Sequence, residues 1–152
     1  MEKINDKFIT VPKDIIIGDD TILKRYGDKG FLIMLYIAKH RTNFDTAYIS
    51  VANCIEECGY KLPKKENATV KEFKDIIKAL IKDKILITDK DDFKLNDLIV
   101  CYLDDESNNF FKLEQYQYDW IMEYKGKEKK INLLKLFCVL KARMHVRNKM
   151  KI

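Results

Sequence analysis

Residues that interrupt regular structure are scarce in this chain, which has five glycines and two prolines among 152 residues. Such a composition indicates helices and strands joined by mostly short connections. No apolar run is long enough to span a bilayer, and the first residues lead into no apolar signal segment. The sequence therefore predicts a cytoplasmic protein without a membrane partner, built as one domain or as one domain with a substantial appendage.

Groups that enzymes use for catalysis are also few. The chain has two histidines, and it contains no Gly-x-Ser-x-Gly, no His-Glu-x-x-His, no phosphate-binding glycine loop and no nucleotide-binding fingerprint. Acidic pairs such as Asp19-Asp20 and Asp91-Asp92 fall in predicted turns, where solvated charge explains them better than a divalent metal. We therefore predict a binding module and not an enzyme, with no catalytic residues and no cofactor.

The four cysteines lack the Cys-x-x-Cys spacing of many zinc sites. Cys54 and Cys58 are one helical turn apart, and a metal site completed by Cys101 is the alternative that this spacing leaves open. Buried, reduced thiols in a cytosolic core are the favoured interpretation. No metal site is predicted.

Core-forming residues are plentiful, because 47% of the chain is apolar and eight Phe, eight Tyr and one Trp are present. Residues 47–103 have the element order of a winged helix-turn-helix. Helices are predicted from Ala47 to Cys58 and from Val70 to Lys82, followed by two strands at 85–87 and 98–101. The predicted fold class is mainly α with a small antiparallel β wing (α+β), a winged helix-turn-helix with a C-terminal helical extension.

The predicted domains are a winged helix at residues 1–103, an acidic linker at 104–110 and a basic helical extension at 111–152. Within the first of these, Phe8 to Pro12 is predicted as a strand or extended arm. The net charge of +5 is unevenly spread, since residues 1–110 carry −2 and the remainder carry +7. A basic pole of this kind suggests a nucleic acid or an acidic protein as partner.

The predicted helix from Val70 to Lys82 carries the expected DNA contacts. Thr69 and Glu72 have the spacing of a capping box, which predicts a helix start near Val70. Apolar residues recur at three- and four-residue steps and form one stripe for the core. These are Val70, Phe73, Ile76, Ile77, Leu80 and Ile81. Lysines recur at the same steps on another face and continue into the preceding loop, where phosphates would be attracted to them. The predicted nucleic-acid-binding residues are Lys61, Lys64, Lys65, Thr69, Lys71, Lys74, Lys78 and Lys82.

Some features count against DNA and keep a second hypothesis open. The predicted wing is acidic, with Asp89, Asp91, Asp92 and Asp97, and a phosphate backbone would repel it. None of the four arginines, the usual readers of guanine, lies in the predicted recognition helix. The alternative is a protein–protein interaction module or adaptor built on a winged-helix scaffold.

Two helices are predicted beyond the linker, from Leu113 to Tyr124 and from Lys129 to Asn148. The aromatic residues of the first have spacings that favour packing over base stacking. These are Tyr116, Tyr118, Trp120 and Tyr124. The second helix has an apolar stripe suited to a second copy of the chain, so the alternative hypothesis includes a homodimer through these helices. A secondary basic surface is predicted at Lys141, Arg143 and Arg147.

Four segments within residues 8–103 share a pattern of apolar and turn residues with a known group of proteins. The segments are Phe8-Ile9-Thr10-Val11-Pro12, Tyr26-Gly27-Asp28-Lys29-Gly30-Phe31, Cys58-Gly59-Tyr60-Lys61 and Phe73-Lys74-Asp75-Ile76-Ile77-Lys78-Ala79-Leu80-Ile81. They resemble the replication-initiation winged helices of phages and plasmids of low-GC bacteria, including the N-terminal domain of DnaD-like primosome proteins and phage replisome organisers. The resemblance implies a DNA-binding protein of a mobile genetic element, acting in replication initiation or its control. Double-stranded DNA and a replication protein are the partners that it implies.

Overall fold

The computed structural model describes residues 8–42, 46–62, 64–65, 67–103, 110–127 and 129–150, with side chains up to 144 except that of Leu103. Its helices and small antiparallel sheets give an α+β fold, as the sequence predicts. The chain divides into two compact units. One unit, Tyr26–Ser107, is called the central unit here, and the other, Met1–Arg25 with Asn108–Ile152, is called the terminal unit.

Five helices, one short 3-10 helix and five strands are found among the described residues. Their bounds are β1 (Phe8–Pro12), a 3-10 helix (Lys13–Ile15), α1 (Ile22–Lys39), β2 (Thr46–Ile49), α2 (Val51–Glu57), α3 (Ala68–Lys82), β3 (Leu86–Thr88), β4 (Ile99–Leu103), β5 (Phe110–Glu114), α4 (Gln115–Glu123) and α5 (Lys130–Met150). Helix α1 is kinked at Gly27, whose backbone angles of φ 75° and ψ −168° are not helical. Glycine tolerates this positive φ without the steric cost that a side chain adds.

In the central unit, one three-stranded sheet lies alongside helices α1, α2 and α3. The strand order is β2-β4-β3, and both pairings are antiparallel. Ile49 lies opposite Ile99, and Leu86 lies opposite Leu103. One face of the sheet contributes to the core. The most deeply buried apolar residues in this unit include Phe31, Ile33, Leu35, Tyr36, Ile37, Ile49, Ile55, Phe73, Ile77, Leu80, Ile99 and Cys101.

The predicted helix from Ala47 to Cys58 is wrong in its first residues, which form β2. Ala47 and Ile49 are buried while Tyr48 between them is exposed, which is the two-residue alternation of a strand. Ser50 then caps α2, because its hydroxyl oxygen accepts a hydrogen bond from the Asn53 N–H at 3.1 Å. At the other end, Gly59 has φ 92° and completes a Schellman turn.

Helix α3 begins two residues earlier than predicted, and its cap is a different residue. The Asn67 side chain accepts a hydrogen bond from the Val70 N–H at 3.1 Å. The predicted capping box of Thr69 and Glu72 is wrong, since the Glu72 carboxylate pairs instead with Lys29 Nζ at 2.8 Å. The predicted apolar stripe is confirmed at its centre, where Val70, Phe73, Ile77 and Leu80 are fully buried, while Ile76 and Ile81 are half-buried.

In the terminal unit, the two strands β1 and β5 pair antiparallel, with Phe8 opposite Glu114 and Pro12 opposite Phe110. Phe8–Pro12 is therefore a strand, as predicted. The helix predicted to start at Leu113 begins later, because Phe110–Glu114 alternates between buried and solvent-facing residues and forms β5. Helix α5 packs on β5 and on α4.

The two units divide the chain differently from the predicted domains. Residues 8–25, assigned from the sequence to the winged-helix domain, group with the C-terminal residues because β1 is hydrogen-bonded to β5. Of the predicted acidic linker, residues 104–109 lie outside the described part of the chain, and Phe110 begins β5.

Candidate nucleic-acid interface

The side of α3 opposite its buried stripe carries a row of cations. Lys71, Lys74, Lys78 and Lys82, called the lysine ridge here, recur at three- and four-residue steps and so lie one above another on the helix. Lys71, Lys78 and Lys82 are exposed, and Lys74 is half-buried. Asp75 lies on the same side and is exposed. The ridge is therefore a surface of ammonium groups that is interrupted by one carboxylate.

Two shallow surface depressions of about 540 Å³ each adjoin at the start of α3. The first is lined by Asn67, Ala68, Lys71, Lys74, Asp75 and Lys78. The second is lined by Tyr60, Lys61, Leu62, Lys64, Asn67 and Thr69. Because Asn67 borders both, six of the eight residues predicted to bind nucleic acid line one continuous surface. The other two, Lys65 and Lys82, are exposed but line neither depression.

The beginning of the loop between α2 and α3 is fixed by aromatic contacts. The Tyr60 ring meets the ring of buried Phe73 edge-on, with centroids 5.5 Å apart. Lys29 Nζ lies 5.3 Å from the Tyr60 ring centre and 2.8 Å from a Glu72 carboxylate oxygen. The hydrogen bond to Glu72 raises the pKa of Lys29 against a smaller opposing effect of burial. The α1 side of α3 is thus occupied by an ion pair, and the lysine ridge lies on the other side.

The acidic loop between β3 and β4 contacts the lysine ridge. Asp92 Oδ1 lies 3.2 Å from Lys78 Nζ, and the same Nζ lies 5.8 Å from the ring centre of buried Phe93. The hydrogen bond from Lys78 lowers the pKa of Asp92, and the positive charge of Lys78 and the Phe93 N–H lower it further. Lys78 is therefore partly neutralised within the molecule, a pairing that the sequence did not predict.

Two other acidic side chains of this loop are used in local hydrogen bonds. Asp89 Oδ1 accepts from the Val100 N–H at 2.9 Å, and Asp97 Oδ2 accepts from the Lys94 N–H at 2.8 Å. The Leu95 carbonyl accepts from the Ala52 N–H of α2 at 3.0 Å. The first two bonds order the loop locally, and the third joins it to α2. The predicted acidic wing therefore lies against α2.

A polar cluster around Glu57 joins the end of α1 to α2. The Glu57 carboxylate pairs with Lys39 Nζ at 3.0 Å and with His40 Nε2. Asn53 Nδ2 donates to both Glu57 Oε2 and Tyr36 Oη. Burial raises the pKa of Glu57, but the hydrogen bonds from His40 and Lys39 outweigh it, so the pKa is lowered. This arrangement links two helices and opens onto neither depression.

The four cysteines are free and buried, as predicted. Cys54 Sγ and Cys58 Sγ are 4.0 Å apart, but among the described residues no three His, Cys, Asp or Glu side chains are arranged to hold a metal ion. The alternative site with Cys101 is therefore wrong. Burial raises the pKa of Cys101 and of Cys138 to about 12, so both remain protonated thiols at neutral pH.

The secondary basic surface is not one patch in the part that can be described. Lys141 Nζ lies 3.9 Å from Glu114 Oε1 and 5.5 Å from the Phe137 ring centre, while Arg143 is exposed. Two residues apart on a helix, their side chains point to different sides. The side chain of Arg147 lies outside the described residues.

The aromatic residues of α4 differ in burial, which corrects the expectation that they all pack. Tyr118 is buried, whereas Trp120 is 67% exposed and meets the Tyr116 ring edge-on at 5.0 Å.

Among the helices that the structure describes, none combines the length and the apolar character needed to cross a membrane. No protein-family model, curated protein or solved structure matches this chain.

Proposed function

We propose that the central unit is a winged helix that binds double-stranded DNA through the lysine ridge and the loop at 61–65. The order α1-β2-α2-α3-β3-β4, with strands in the order β2-β4-β3, supports the winged-helix assignment. The observation that carries the DNA proposal is the continuous surface on which Lys61, Lys64, Lys71, Lys74 and Lys78 meet around Asn67. In helix-turn-helix proteins the second helix of the motif enters the major groove, and the proposal assigns that role to α3.

The chemistry of this surface favours phosphate contacts over reading of base edges. Each lysine presents a compact charge on a flexible stem, whereas bidentate recognition of guanine is the property of arginine. The positive end of the helix dipole at the start of α3 adds positive potential beside Asn67 and Ala68. We therefore expect binding that tolerates many sequences and weakens steeply with salt. The proposed role is a cytoplasmic DNA-binding protein of a mobile genetic element, in replication initiation or its control, and not an enzyme.

A titration of mixed-sequence duplex, followed by fluorescence anisotropy across a salt series, tests the proposal. The variant Lys71→Gln/Lys74→Gln removes two charges from the ridge. The control Lys125→Gln/Lys127→Gln removes the same charge from exposed positions of the α4–α5 connection. If both ridge lysines contact phosphates, the ridge variant binds at least tenfold more weakly at low salt, and the slope of log K against log salt falls by about two. Equal effects of the two variants would contradict the assignment, since general charge attraction would then explain the binding.

A second candidate function is a protein-interaction module, which one observation on α5 favours. Leu136, Leu140 and Met144 are more than half exposed on this helix. Exposed apolar residues in a row are typical of protein-binding surfaces. Light scattering tests the homodimer expected from the sequence, which would be supported by a mass of twice 18.0 kDa that persists at high salt.

A further inference from the structure

Helix α5 is apolar on two sides, and only one of them is covered. Leu134, Cys138 and Ala142 are fully buried in the terminal unit, where α5 packs on β5 and α4. The other side carries the outer stripe, defined here as Leu133, Leu136, Phe137, Leu140 and Met144. In the outer stripe, Leu136 is 58%, Leu140 51% and Met144 56% exposed.

The outer stripe has the spacing of anchors that enter a helical partner or a groove. Its members lie three, four, seven and eleven residues after Leu133, so at 100° per residue they form one face of the helix. Phe137 and Leu133 are half-buried and border the exposed members. Anchors at i, i+3, i+4 and i+7 are the pattern by which two helices bury apolar side chains against each other.

The charges that helix α5 itself carries have one sign. From Lys130 to Met150 the sequence contains four Lys and two Arg, and no Asp or Glu. On one border, Lys141 Nζ lies over the Phe137 ring at 5.5 Å and 3.9 Å from Glu114 Oε1 of β5. On the other border, Arg143 is exposed and follows Leu136 by seven residues, which places it on nearly the same side. The apolar face is thus flanked by cations.

From this combination we propose that the outer stripe of α5 docks an acidic amphipathic helix of a partner protein. Leucine-type side chains of the partner would cover Leu136, Leu140 and Met144, and carboxylates on its flanks would pair with Lys141 and Arg143. A second copy of the chain fits less well, because two α5 helices would bring cations against cations, and α5 itself has no carboxylate to offset them. DNA also fits less well, because its charged phosphates remain hydrated and would not remove the exposed leucine side chains from water.

The test uses a fluorescent synthetic peptide of about three heptads, with Leu on one face and Glu on both flanks. Two matched peptides replace either every Glu by Gln or every Leu by Ser. Anisotropy titrations of the full chain are expected to give saturable binding of the Leu/Glu peptide, at least tenfold weaker binding of the Gln peptide and no binding of the Ser peptide. The variant Leu136→Ser/Leu140→Ser is expected to lose at least tenfold in affinity for the Leu/Glu peptide.

The matched control variant is Ile87→Ser/Leu98→Ser, which removes two aliphatic side chains of equal exposure from the central unit. It should bind the Leu/Glu peptide as the unaltered chain does, and the α5 variant should retain the thermal unfolding midpoint and DNA affinity of the unaltered chain. The proposal is overturned if the Leu/Glu peptide does not bind, if the Gln peptide binds equally well, or if the α5 variant retains the affinity. It is also overturned if the unaltered chain is a dimer that Leu136→Ser/Leu140→Ser converts to a monomer, because the stripe would then hold a second copy.

Discussion

Helices α3 and α5 are both long and rich in lysine, yet they present different surfaces. On α3 the strongly apolar residues face the core, and the opposite side is left to Lys71, Lys78, Lys82 and Asp75. On α5 the buried side uses Leu134, Cys138 and Ala142, and a second apolar face remains exposed. The two helices are both rich in lysine. They differ in how many apolar residues they carry beyond those that the core covers.

The difference bears on the kind of partner that each helix can bind. A hydrated row of ammonium groups gains from a polyanion by releasing counterions, without displacing water from apolar surface. An apolar stripe gains mainly by being removed from water, at roughly 25 cal/mol per Å², and therefore requires a partner that is itself apolar at the contact. We therefore propose nucleic acid as the partner of the lysine ridge and a protein as the partner of the outer stripe.

The largest effect is expected from removing an apolar side chain of α3. Phe73 is fully buried and meets Tyr60 edge-on, so Phe73→Ala should lower the free energy of unfolding by about 3–5 kcal/mol. Leu140→Ala on α5 should change it by less than about 0.5 kcal/mol, because this side chain is half exposed. Urea denaturation of both variants measures the contrast. Equal losses would mean that the outer stripe is a structural surface and that the comparison fails.

Acid should weaken the central unit through Glu57. Its pKa in the folded chain is lowered, so its stabilisation is fully present above the unfolded value of about 4.3 and is lost as pH falls through the folded pKa. Glu57→Gln should cost on the order of 1–2 kcal/mol at pH 7 and nothing extra at pH 3. Urea midpoints at both pH values measure this. A constant difference between the two proteins at every pH would contradict the ionic role of Glu57.

Asp92→Asn should strengthen DNA binding. The substitution releases Lys78 from its 3.2 Å ion pair and removes a negative charge beside the lysine ridge, while the amide oxygen can still accept from the Phe93 N–H. An increase of roughly threefold to tenfold in affinity at low salt is expected, since the pair is exposed and screened. Asp91→Asn, at the neighbouring exposed position, is the matched control. An identical gain from both variants would show that only net charge matters.

The smallest effect concerns how α2 and α3 end. Both finish in the same type of turn, but the left-handed position is Gly59 after α2 and Lys84 after α3, with φ 92° and 61°. Lys84→Gly should therefore raise the free energy of unfolding by about 0.5 kcal/mol, as relief of the backbone exceeds the entropy that glycine adds to the unfolded chain. Gly59→Ala should lower it by about 1 kcal/mol. Chemical denaturation resolves these opposite signs, and a loss of stability in Lys84→Gly would contradict them.

Features that depend on local periodicity could be predicted from the sequence. The buried stripe of α3 and the position of its lysines follow from three- and four-residue steps, and β1 follows from a short run rich in β-branched residues. Strand β2 could not be predicted, because Ala47 to Ile49 gains its conformation from pairing with β4, some fifty residues away. The start of β5 was missed for the same reason, since its partner β1 lies at the other end of the chain.

The ion pairs and hydrogen bonds of the candidate interface could not be predicted from the sequence either. The pair of Lys78 and Asp92 joins a helix to a loop that follows it, and no pattern in the residues between them indicates the contact. The sequence indicated an acidic wing that would repel DNA. The structure instead has Asp89 and Asp97 bound to backbone N–H groups and Asp92 bound to a lysine of the ridge.

The most direct test of the DNA proposal is a map of amide chemical shifts during titration of the isotope-labelled chain with a short duplex. Shifts that move with DNA should concentrate at Asn67, Lys71, Lys74 and Lys78 and in the loop at 61–65, while those of Leu136 and Leu140 on α5 stay in place. Changes concentrated on α5, with α3 unaffected, would contradict the account and would assign the nucleic-acid surface to the C-terminal helix.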